Sequence, residues 1–493
     1  MKSKIKYLVF FFFTLTNSFC YSQILAEGPF NVGFKYYKTY DDSRQYVVNN
    51  DTTSRPLLIH FWYPSKANLK KEPYSFKNYI DLISLREDFN KPSSEVDKNS
   101  LNFINAYAGF AKQHYGVDTS LTIQQILDYP VLAKYGVDLA KSSKKFPLII
   151  YAPSNSKSSA QNHMICEYLV SHGYLVISVG SAGKNSLKRE HGGKSILAQI
   201  NDMEFILSYI EDSLKIKYSD LGLMGYSTGG LATTIFQMEN KNVKAVFSMD
   251  GSQEYGFYIS LFKLDNFDLI KTNVPYCLLV NNHEDYSIYP FYNSIISEDK
   301  YLIRMPYLDH NGFVSFWRFF DLCSSKNSLS KFCVSFDYIS SAALTFFNAY
   351  LKPKQVSNSK SELSFQNNEY IKTETSENSS IAQLGNLILS DGIDSAIGFL
   401  NSNQEIFIKK EIEINILSKM FRDSYGDEAI QLLLFNTKNH PNSWQAHFEL
   451  GFTYKLNGEL TLAKESLLKA QELNPDNTEI NKVLNEINES EKK

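Results

Sequence analysis

Residues 221–236 read LGLMGYSTGGLATTIF, an apolar run followed by a G-x-S-x-G turn and a second apolar run. The run Leu221–Met224 predicts a buried strand, and the stretch Gly229–Glu239 predicts a helix. Glycines on both sides of Ser227 leave room for a sharp strand-to-helix turn that holds a serine backbone in a strained conformation. The sequence therefore predicts a nucleophile elbow, with Ser227 as the nucleophile.

The residues around this turn also predict two donors to an oxyanion. Thr228 begins the helix, where backbone N–H groups lack intrahelical acceptors and the helix dipole favours negative charge. We expect its N–H to stabilise a tetrahedral intermediate. The second donor is expected from the loop after the third strand, as the backbone N–H of Ser154 or Asn155, and we assign it to Asn155.

A serine nucleophile needs a base and an acid. In proteins that place the serine on such a strand-to-helix turn, these residues follow it in the order Ser, acid, His. His310 follows the last predicted strand and precedes a helical pattern, where a base reaches back over the elbow. His283 follows an earlier strand directly and is less well placed. Asp250 ends one strand and Asp285 follows the next. From the residues alone, either aspartate can hold the histidine in one tautomer.

The first two thirds of the chain alternate short β-rich runs with helical patterns, which is typical of an α/β sheet flanked by helices. Several runs are almost continuously apolar, as expected for strands covered on both faces. The predicted strands are Asn31–Thr39, Arg55–Tyr63, Phe146–Tyr151, Tyr174–Val179, Leu221–Met224, Val243–Met249, Tyr276–Val280 and Tyr301–Met305. Helices are predicted near Ala160–His172, Ile196–Ser213, Gly229–Glu239 and Ser335–Leu351.

Two segments depart from this alternation. Residues 74–140 form a mostly helical insertion between the second and third strands, too long for an ordinary connection, and we expect it to pack as a cap beside the active face. Residues 354–380 are poor in large apolar side chains and rich in Ser, Asn, Lys and Glu, which is typical of a linker. The α/β domain is therefore expected to span residues 24–353.

The pattern changes to a helical repeat over residues 381–489. Apolar and small residues recur 34 positions apart at the spacings of a tetratricopeptide repeat, and a weaker third copy lies 33 residues earlier. The positions that define the pattern are Trp444, Leu450, Gly451, Tyr454, Ala463, Leu467, Ala470 and Pro475, then Ile416, Met420, Ala429, Leu433 and Pro441, then Leu387, Ala396 and Leu400. Such a stack is either a solubilising appendage or a surface that docks a protein partner.

The N-terminus has the three-part build of a secretory signal peptide. Three lysines precede an apolar run that is too short to span a membrane, and we expect cleavage near Ser22, so that residues 1–22 are removed. Cys20 raises the alternative of a lipoprotein, but Phe19 stands where that processing requires a small residue. The mature protein is expected to be exported, periplasmic or extracellular, without a transmembrane segment.

Charge and cysteine usage exclude several other classes. The chain has 50 Lys and Arg against 53 Asp and Glu, so no strong field recruits nucleic acid. Four cysteines follow the signal peptide. Cys323 and Cys333 have a spacing that allows one disulfide in an exported protein, whereas Cys166 and Cys277 are expected to be core residues. No zinc-type spacing of Cys and His occurs, and no structural metal is indicated.

The region 28–352 resembles the α/β-hydrolase superfamily, in particular the branch of platelet-activating-factor acetylhydrolase and dienelactone-hydrolase-like esterases. The residues that carry the resemblance are Gly28–Gly33, Arg55–Pro64, Phe146–Tyr151, Leu169–Val176, Gly225–Ser227, Ser248–Asp250 and Asp309–His310. The resemblance implies that the acid is Asp250, because the acetylhydrolase branch takes it from the matching strand. It also implies cleavage of short-chain esters without a metal or other cofactor. The His-Gly of the family's oxyanion loop is replaced here by Pro153-Ser154.

The sequence therefore predicts an exported serine esterase with the triad Ser227, His310 and Asp250. Its substrate is expected to be a small or lipid-like ester. Two alternatives remain open at this point: a non-catalytic hydrolase-fold protein that docks partners through its repeats, and an amidase or peptidase that uses the same triad chemistry.

Overall fold

A computed structural model describes the molecule over most of its length. The described residues are 25–66, 72–116, 121–187, 193–255, 272–282, 288–295, 297, 299–323, 330–352, 365–374, 379–423 and 425–490. The predicted signal peptide, including Cys20, lies outside them.

One mixed sheet organises the larger part of the chain. Its strands are ordered β10-β9-β8-β7-β6-β4-β5-β2-β1-β3, and all neighbours from β5 through β4 to β9 run parallel. The antiparallel pairs are β1 with β2, β2 with β5, and β9 with β10. The strands are β1 (Asn31–Val48), β2 (Asp51–Ser65), β3 (Ala133–Tyr135), β4 (Leu148–Ala152), β5 (Leu175–Val179), β6 (Leu221–Tyr226), β7 (Val243–Met249), β8 (Tyr276–Val280), β9 (Lys300–Arg304) and β10 (Lys372–Glu374).

Helices cover both faces of this sheet, because the central strands are apolar on both sides. β4, β5 and β6 are buried at every position, which confirms the prediction made from their apolar runs. The helices that follow or precede the strands are α1 (Phe76–Ser84), α2 (Ser93–Tyr115), α3 (Ile123–Leu127), α4 (His163–Ser171), α5 (Lys194–Asp212), α6 (Thr228–Glu239), α7 (Pro290–Ser294), α8 (Ser315–Leu322) and α9 (Lys331–Leu351).

The predicted insertion is helical for most of its length and also extends the sheet. Helices α1, α2 and α3 occupy it, and β3 then pairs in parallel with β1. The sequence reading missed β3 because three residues are too few to show an alternating pattern. The predicted linker is likewise part of the fold in places, since β10 adds an antiparallel edge strand and Phe365 and Ile371 are buried.

The C-terminal part of the chain is all helical, as predicted. Its described helices are α10 (Ser379–Asp391), α11 (Ile393–Ser402), α12 (Gln404–Phe407), α13 (Glu411–Phe421), α14 (Gly426–Asn439), α15 (Trp444–Leu456), α16 (Leu460–Leu473) and α17 (Thr478–Ser490). We call α10–α17 the helical tail. Ala396, Ala429 and Ala463, which hold equivalent positions in the predicted repeats, are fully buried on α11, α14 and α16. The tail packs on the sheet domain through α10, where the Asn386 amide donates to Ser294 Oγ of α7 at 2.9 Å.

The cysteines of the described residues are buried thiols. Cys323 and Cys333 form no disulfide, so the bridge that their spacing allows is not made. The Cys333 thiol instead donates to the carbonyl oxygen of Trp317 at 3.5 Å. Within the described part of the chain, no helix combines the length and the apolar character needed to cross a membrane.

Two buried histidines make the fold sensitive to acid. Burial lowers the pKa of His60 and of His163 to about 3, against 6.5 in an unfolded chain. His60 lies between Phe34 and Trp62, and neither of its ring nitrogens has a hydrogen-bond partner among the described residues. Between pH 6.5 and 3 the unfolded chain therefore binds protons that the folded chain refuses, and stability falls as the pH falls through this window.

We expect His60→Leu to weaken this acid sensitivity, because leucine keeps the apolar packing and does not titrate. The free energy of unfolding is measured by urea denaturation at several pH values between 6.5 and 3. For each unit by which the pH is lowered, it should fall by about 1.4 kcal/mol less in the variant than in the wild type. His114→Gln is the matched control, since His114 is exposed on α2. Equal slopes in His60→Leu and the wild type would contradict the assignment.

Candidate active site

Ser227 lies in a strained turn between the end of β6 and the start of α6. Its backbone has φ 56° and ψ −121°, a conformation that residues other than glycine rarely adopt. The Ser227 N–H donates to the carbonyl oxygen of Met249 at 3.0 Å, and its own carbonyl oxygen accepts from the N–H of Gly230 at 2.9 Å and of Ser252 at 3.0 Å. These bonds tie the turn to the end of β7, to the first turn of α6 and to the segment after β7, as a nucleophile elbow requires.

The flanking glycines are needed because the backbones around Ser227 nearly touch. A Cβ on Gly225 would lie 2.4 Å from the carbonyl oxygen of Gly229. A Cβ on Gly229 would lie 2.0 Å from the carbonyl oxygen of Ala152, at the end of β4. Both positions therefore exclude any side chain, and the loop after β4 is pressed against the first turn of α6.

His310 lies beside Ser227, at the start of a short 3-10 turn after β9. Its Nε2 is 3.0 Å from Ser227 Oγ, and its ring is partly exposed. Three neighbours hold this turn. The Tyr226 hydroxyl donates to the His310 carbonyl oxygen at 2.8 Å, and the Trp317 indole N–H donates to Asn311 at 2.7 Å. Tyr115, the last residue of α2, donates to the Asp309 carboxylate at 2.9 Å, so the insertion contacts the segment that carries His310.

Asp250 completes a chain of contacts with Ser227 and His310. Its Oδ2 is 2.5 Å from His310 Nδ1, and the side chain is buried. The carboxylate also accepts from the Asn281 backbone N–H at 3.1 Å, from the Asn281 amide at 2.8 Å and from the Tyr255 hydroxyl at 2.5 Å. Hydrogen bonds to an ionised carboxylate stabilise the charged form, so these donors offset the cost of burying it.

Tyr255 and Asn281 were not assigned by the sequence analysis. Burial, and then the charge of Asp250, raise the pKa of Tyr255 far above its usual value, so the phenol is protonated and acts as a donor. Asn281 follows β8, and the parallel register pairs Met249 of β7 with Leu279 of β8. This register is the signal from which Asn281 could have been predicted, because residues just beyond neighbouring parallel strands meet at one edge of the sheet. The alternative acid Asp285 and the alternative base His283 lie outside the described residues.

The two predicted oxyanion donors belong to segments that border Ser227. Thr228 is nearly buried in the first turn of α6, and its Oγ1 is buried without a hydrogen-bond partner among the described residues. Asn155 lies in the loop after β4, within a turn closed by the bond from the Lys157 N–H to the Ser154 carbonyl oxygen at 3.0 Å. The next residue, Ser156, has φ 57°, so this loop is strained as well.

Comparison with known proteins supports the architecture. No family model matches this chain, and no curated protein matches it. Among solved structures, a ferulic acid esterase from Streptomyces cinnamoneus aligns with a TM-score of 0.50 at 15% identity, over 70% of this chain and 97% of that chain. At this identity the likeness establishes the fold alone. The chain thus has the predicted α/β-hydrolase fold, a mostly parallel sheet flanked by helices, followed by an all-helical region.

The crowding at the elbow predicts that Gly229→Ala destabilises the protein. The added Cβ would displace the loop after β4, and we expect a loss of about 1–3 kcal/mol in the free energy of unfolding by urea denaturation. Gly398→Ala is the matched control. Gly398 is exposed within α11 with open space at its Cβ position, so this substitution should stabilise the protein by about 0.5–1 kcal/mol. A Gly229→Ala variant as stable as the wild type would refute the close approach.

Proposed function

We propose that this protein is an exported serine hydrolase that cleaves carboxylic esters. The observation that carries the proposal is the continuous chain of contacts from Ser227 Oγ to His310 Nε2 at 3.0 Å and from His310 Nδ1 to Asp250 Oδ2 at 2.5 Å. Ser227 itself lies in the strained turn at the start of α6. Each of the three groups thus has the neighbour that nucleophilic acyl transfer needs.

The geometry supports a two-step mechanism. His310 Nε2 takes the proton of Ser227 as Oγ attacks the ester carbonyl carbon, and the carbonyl electrons move onto the oxygen. The backbone N–H groups of Thr228 and Asn155 are the proposed donors to this oxyanion. His310 then returns the proton to the leaving alcohol as the C–O bond breaks. Water, deprotonated by the same nitrogen, attacks the acyl enzyme. His310 then returns this proton to Ser227 Oγ as the bond between Oγ and the acyl carbon breaks, which releases the carboxylic acid.

Asp250 has an electrostatic role in this scheme. Its carboxylate accepts the Nδ1–H of His310, which keeps Nε2 free to accept the serine proton, and its charge stabilises the imidazolium that forms. The hydroxyl of Tyr255 and the amide of Asn281 hold the carboxylate in place. The choice of an ester over an amide is supported by the fold shared with the ferulic acid esterase structure.

Replacement of the proposed triad should abolish turnover without unfolding the protein. We expect Ser227→Ala and Asp250→Asn each to lower kcat by about 10⁴-fold against a chromogenic series from acetyl to octanoyl esters. Labelling by a fluorophosphonate should disappear in Ser227→Ala. Ser252→Ala is the matched control, because its Oγ lies 3.5 Å from Ser227 Oγ, and it should keep both turnover and labelling.

Two outcomes would contradict the proposal. A folded wild-type protein that neither turns over nor labels would favour a non-catalytic binding protein. Turnover of anilides but not of esters, still dependent on Ser227, would favour an amidase.

The donors around Asp250 should affect the chemical step rather than substrate binding. Tyr255→Phe removes one hydrogen bond to a buried carboxylate, worth about 1.5–3 kcal/mol, and we expect kcat to fall about 10- to 100-fold with an unchanged KM. Tyr301→Phe is the matched control, since it removes a hydrogen bond to Tyr350 away from the triad. Steady-state kinetics on one ester measures both, and equal kcat values in the two variants would contradict the role of Tyr255.

A further inference from the structure

The loop after β4, residues 153–157, has most of its backbone carbonyl groups bonded to the protein. Three of these oxygens accept hydrogen bonds from other parts of the fold: Pro153 from the Gln199 side chain at 2.7 Å, Ser156 from Arg86 at 2.8 Å and Lys157 from the Ser181 N–H at 2.9 Å. In contrast, the N–H groups of residues 154–156 have no acceptor among the described residues. The loop therefore keeps its donors available for another group, as an oxyanion site requires.

Gln199 fixes the first peptide group of this loop. The residue lies on α5 with 2% of its surface exposed. The Pro153 carbonyl oxygen that accepts from its amide also faces α6, because a Cβ on Gly229 would lie 2.7 Å from that oxygen. A peptide group is planar, so a carbonyl held between an amide and the first turn of a helix sets the direction of the residues that follow. Gln199 thus determines where the chain continues toward Asn155.

Helix α5 is itself held by a buried ion pair close to Gln199. Asp202 lies three residues further along α5 and therefore on the same side of the helix. Its carboxylate accepts two hydrogen bonds from Arg55 of β2, at 2.7 and 2.6 Å, and both side chains are buried. Because the helix is tied to the sheet at this point, the Gln199 amide has a defined position from which to hold the loop.

The composition of the loop makes such support necessary. Pro153 has no N–H, residues 154–156 include no glycine, and Ser156 has φ 57°. A non-glycine residue in this conformation persists only where its surroundings hold it. Gln199 acts at the end of the loop that adjoins the elbow. Its contact therefore bears most directly on the donors at that end.

We propose that Gln199 is a positioning residue for the oxyanion: its amide holds the Pro153 peptide group so that the N–H of Asn155 is directed at the charge that develops on the substrate oxygen. Gln199 acts through the loop and does not touch the substrate. This inference rests on the proposed function, because it concerns the same reaction. Oxyanion donors are effective only when they are oriented before the charge develops, so a loop that can turn loses transition-state stabilisation and keeps substrate binding.

The test uses three small molecules that share a propyl group and differ at the reacting centre. The substrate is 4-nitrophenyl butyrate. The second molecule, 1-propaneboronic acid, forms a tetrahedral adduct with a reactive serine and places a boron-bound hydroxyl where the oxyanion would lie. The third, butyramide, is planar and resembles the ground state. A misplaced oxyanion donor should slow the ester and weaken the boronic acid, and it should leave the binding of butyramide unchanged.

Variants of Gln199 separate the role of the donor from that of packing. Gln199→Met keeps the length of the side chain without the donor, and we expect kcat/KM to fall and the Ki of the boronic acid to rise by about 10- to 100-fold, with the Ki of butyramide within about 2-fold of the wild type. Gln199→His retains an N–H donor at a similar distance from the backbone and should keep at least about a third of the wild-type kcat/KM. Gln199→Asn keeps the amide on a side chain one methylene shorter, which cannot reach the loop, and it should resemble Gln199→Met.

Two controls separate this role from general destabilisation and from an effect on the base. Asn436→Leu removes another buried amide, which donates to the Glu411 carbonyl oxygen at 3.0 Å in the helical tail, and it should change none of the three constants. The acid limb of the pH profile of kcat/KM reports the base, His310. Its midpoint should be the same in Gln199→Met and in the wild type, and a shifted midpoint would assign the loss to the base instead.

Three further results would overturn the role of Gln199. Gln199→Met could keep the wild-type kcat/KM, it could weaken butyramide as much as the boronic acid, or Gln199→His could be as impaired as Gln199→Met. If Gln199→Met does not fold, Gln199→Asn and Gln199→His decide the question on the same measurements. Failure of the proposed function is a different result, namely no Ser227-dependent turnover or labelling by the folded wild type.

Discussion

The backbone of Ser227 is the constraint on which the rest of the site depends. A non-glycine residue in this conformation costs on the order of 1–3 kcal/mol, and it persists only where the surroundings hold it. Here the holding elements are the fully buried strand β6, the hydrogen bonds of the Ser227 backbone to Met249, Gly230 and Ser252, and the contact of Gly229 with the end of β4. Because that contact leaves no room for side chains, the turn also sets where the loop with Asn155 begins.

The parallel strands next to β6 then determine where the partners of Ser227 come from. Asp250, Asn281 and the turn with His310 follow β7, β8 and β9, three neighbours that end at one edge of the sheet. Asp250 follows the strand beside the elbow, and Asn281, whose amide donates to the Asp250 carboxylate, follows the next strand. The carboxylate is therefore held by the neighbouring strand, in addition to the strand that carries it.

The sequence was sufficient for those parts of the fold and site that have a strong local pattern. Ser227, Asp250 and His310 each follow a predicted strand, and the structure brings the three side chains together. Residues whose position depends on tertiary contacts could not be predicted in this way. Tyr255 and Arg86 lie in connections without periodicity, and each reaches its partner across the fold or around a turn. The three-residue edge strands β3 and β10 were missed because hydrogen bonding to a neighbour, and no pattern of their own, makes them strands.

The insertion is an integral part of the candidate site because it contacts both sides of it. Arg86, after α1, donates to the loop with Asn155, and Tyr115, at the end of α2, donates to Asp309 beside His310. Between them, the Tyr107 side chain of α2 accepts from the amide of Gln161 and stacks on Trp317. A shift of α1 and α2 would therefore displace the loop with Asn155 and the turn with His310 together. The insertion therefore helps to fix the positions of both Asn155 and His310.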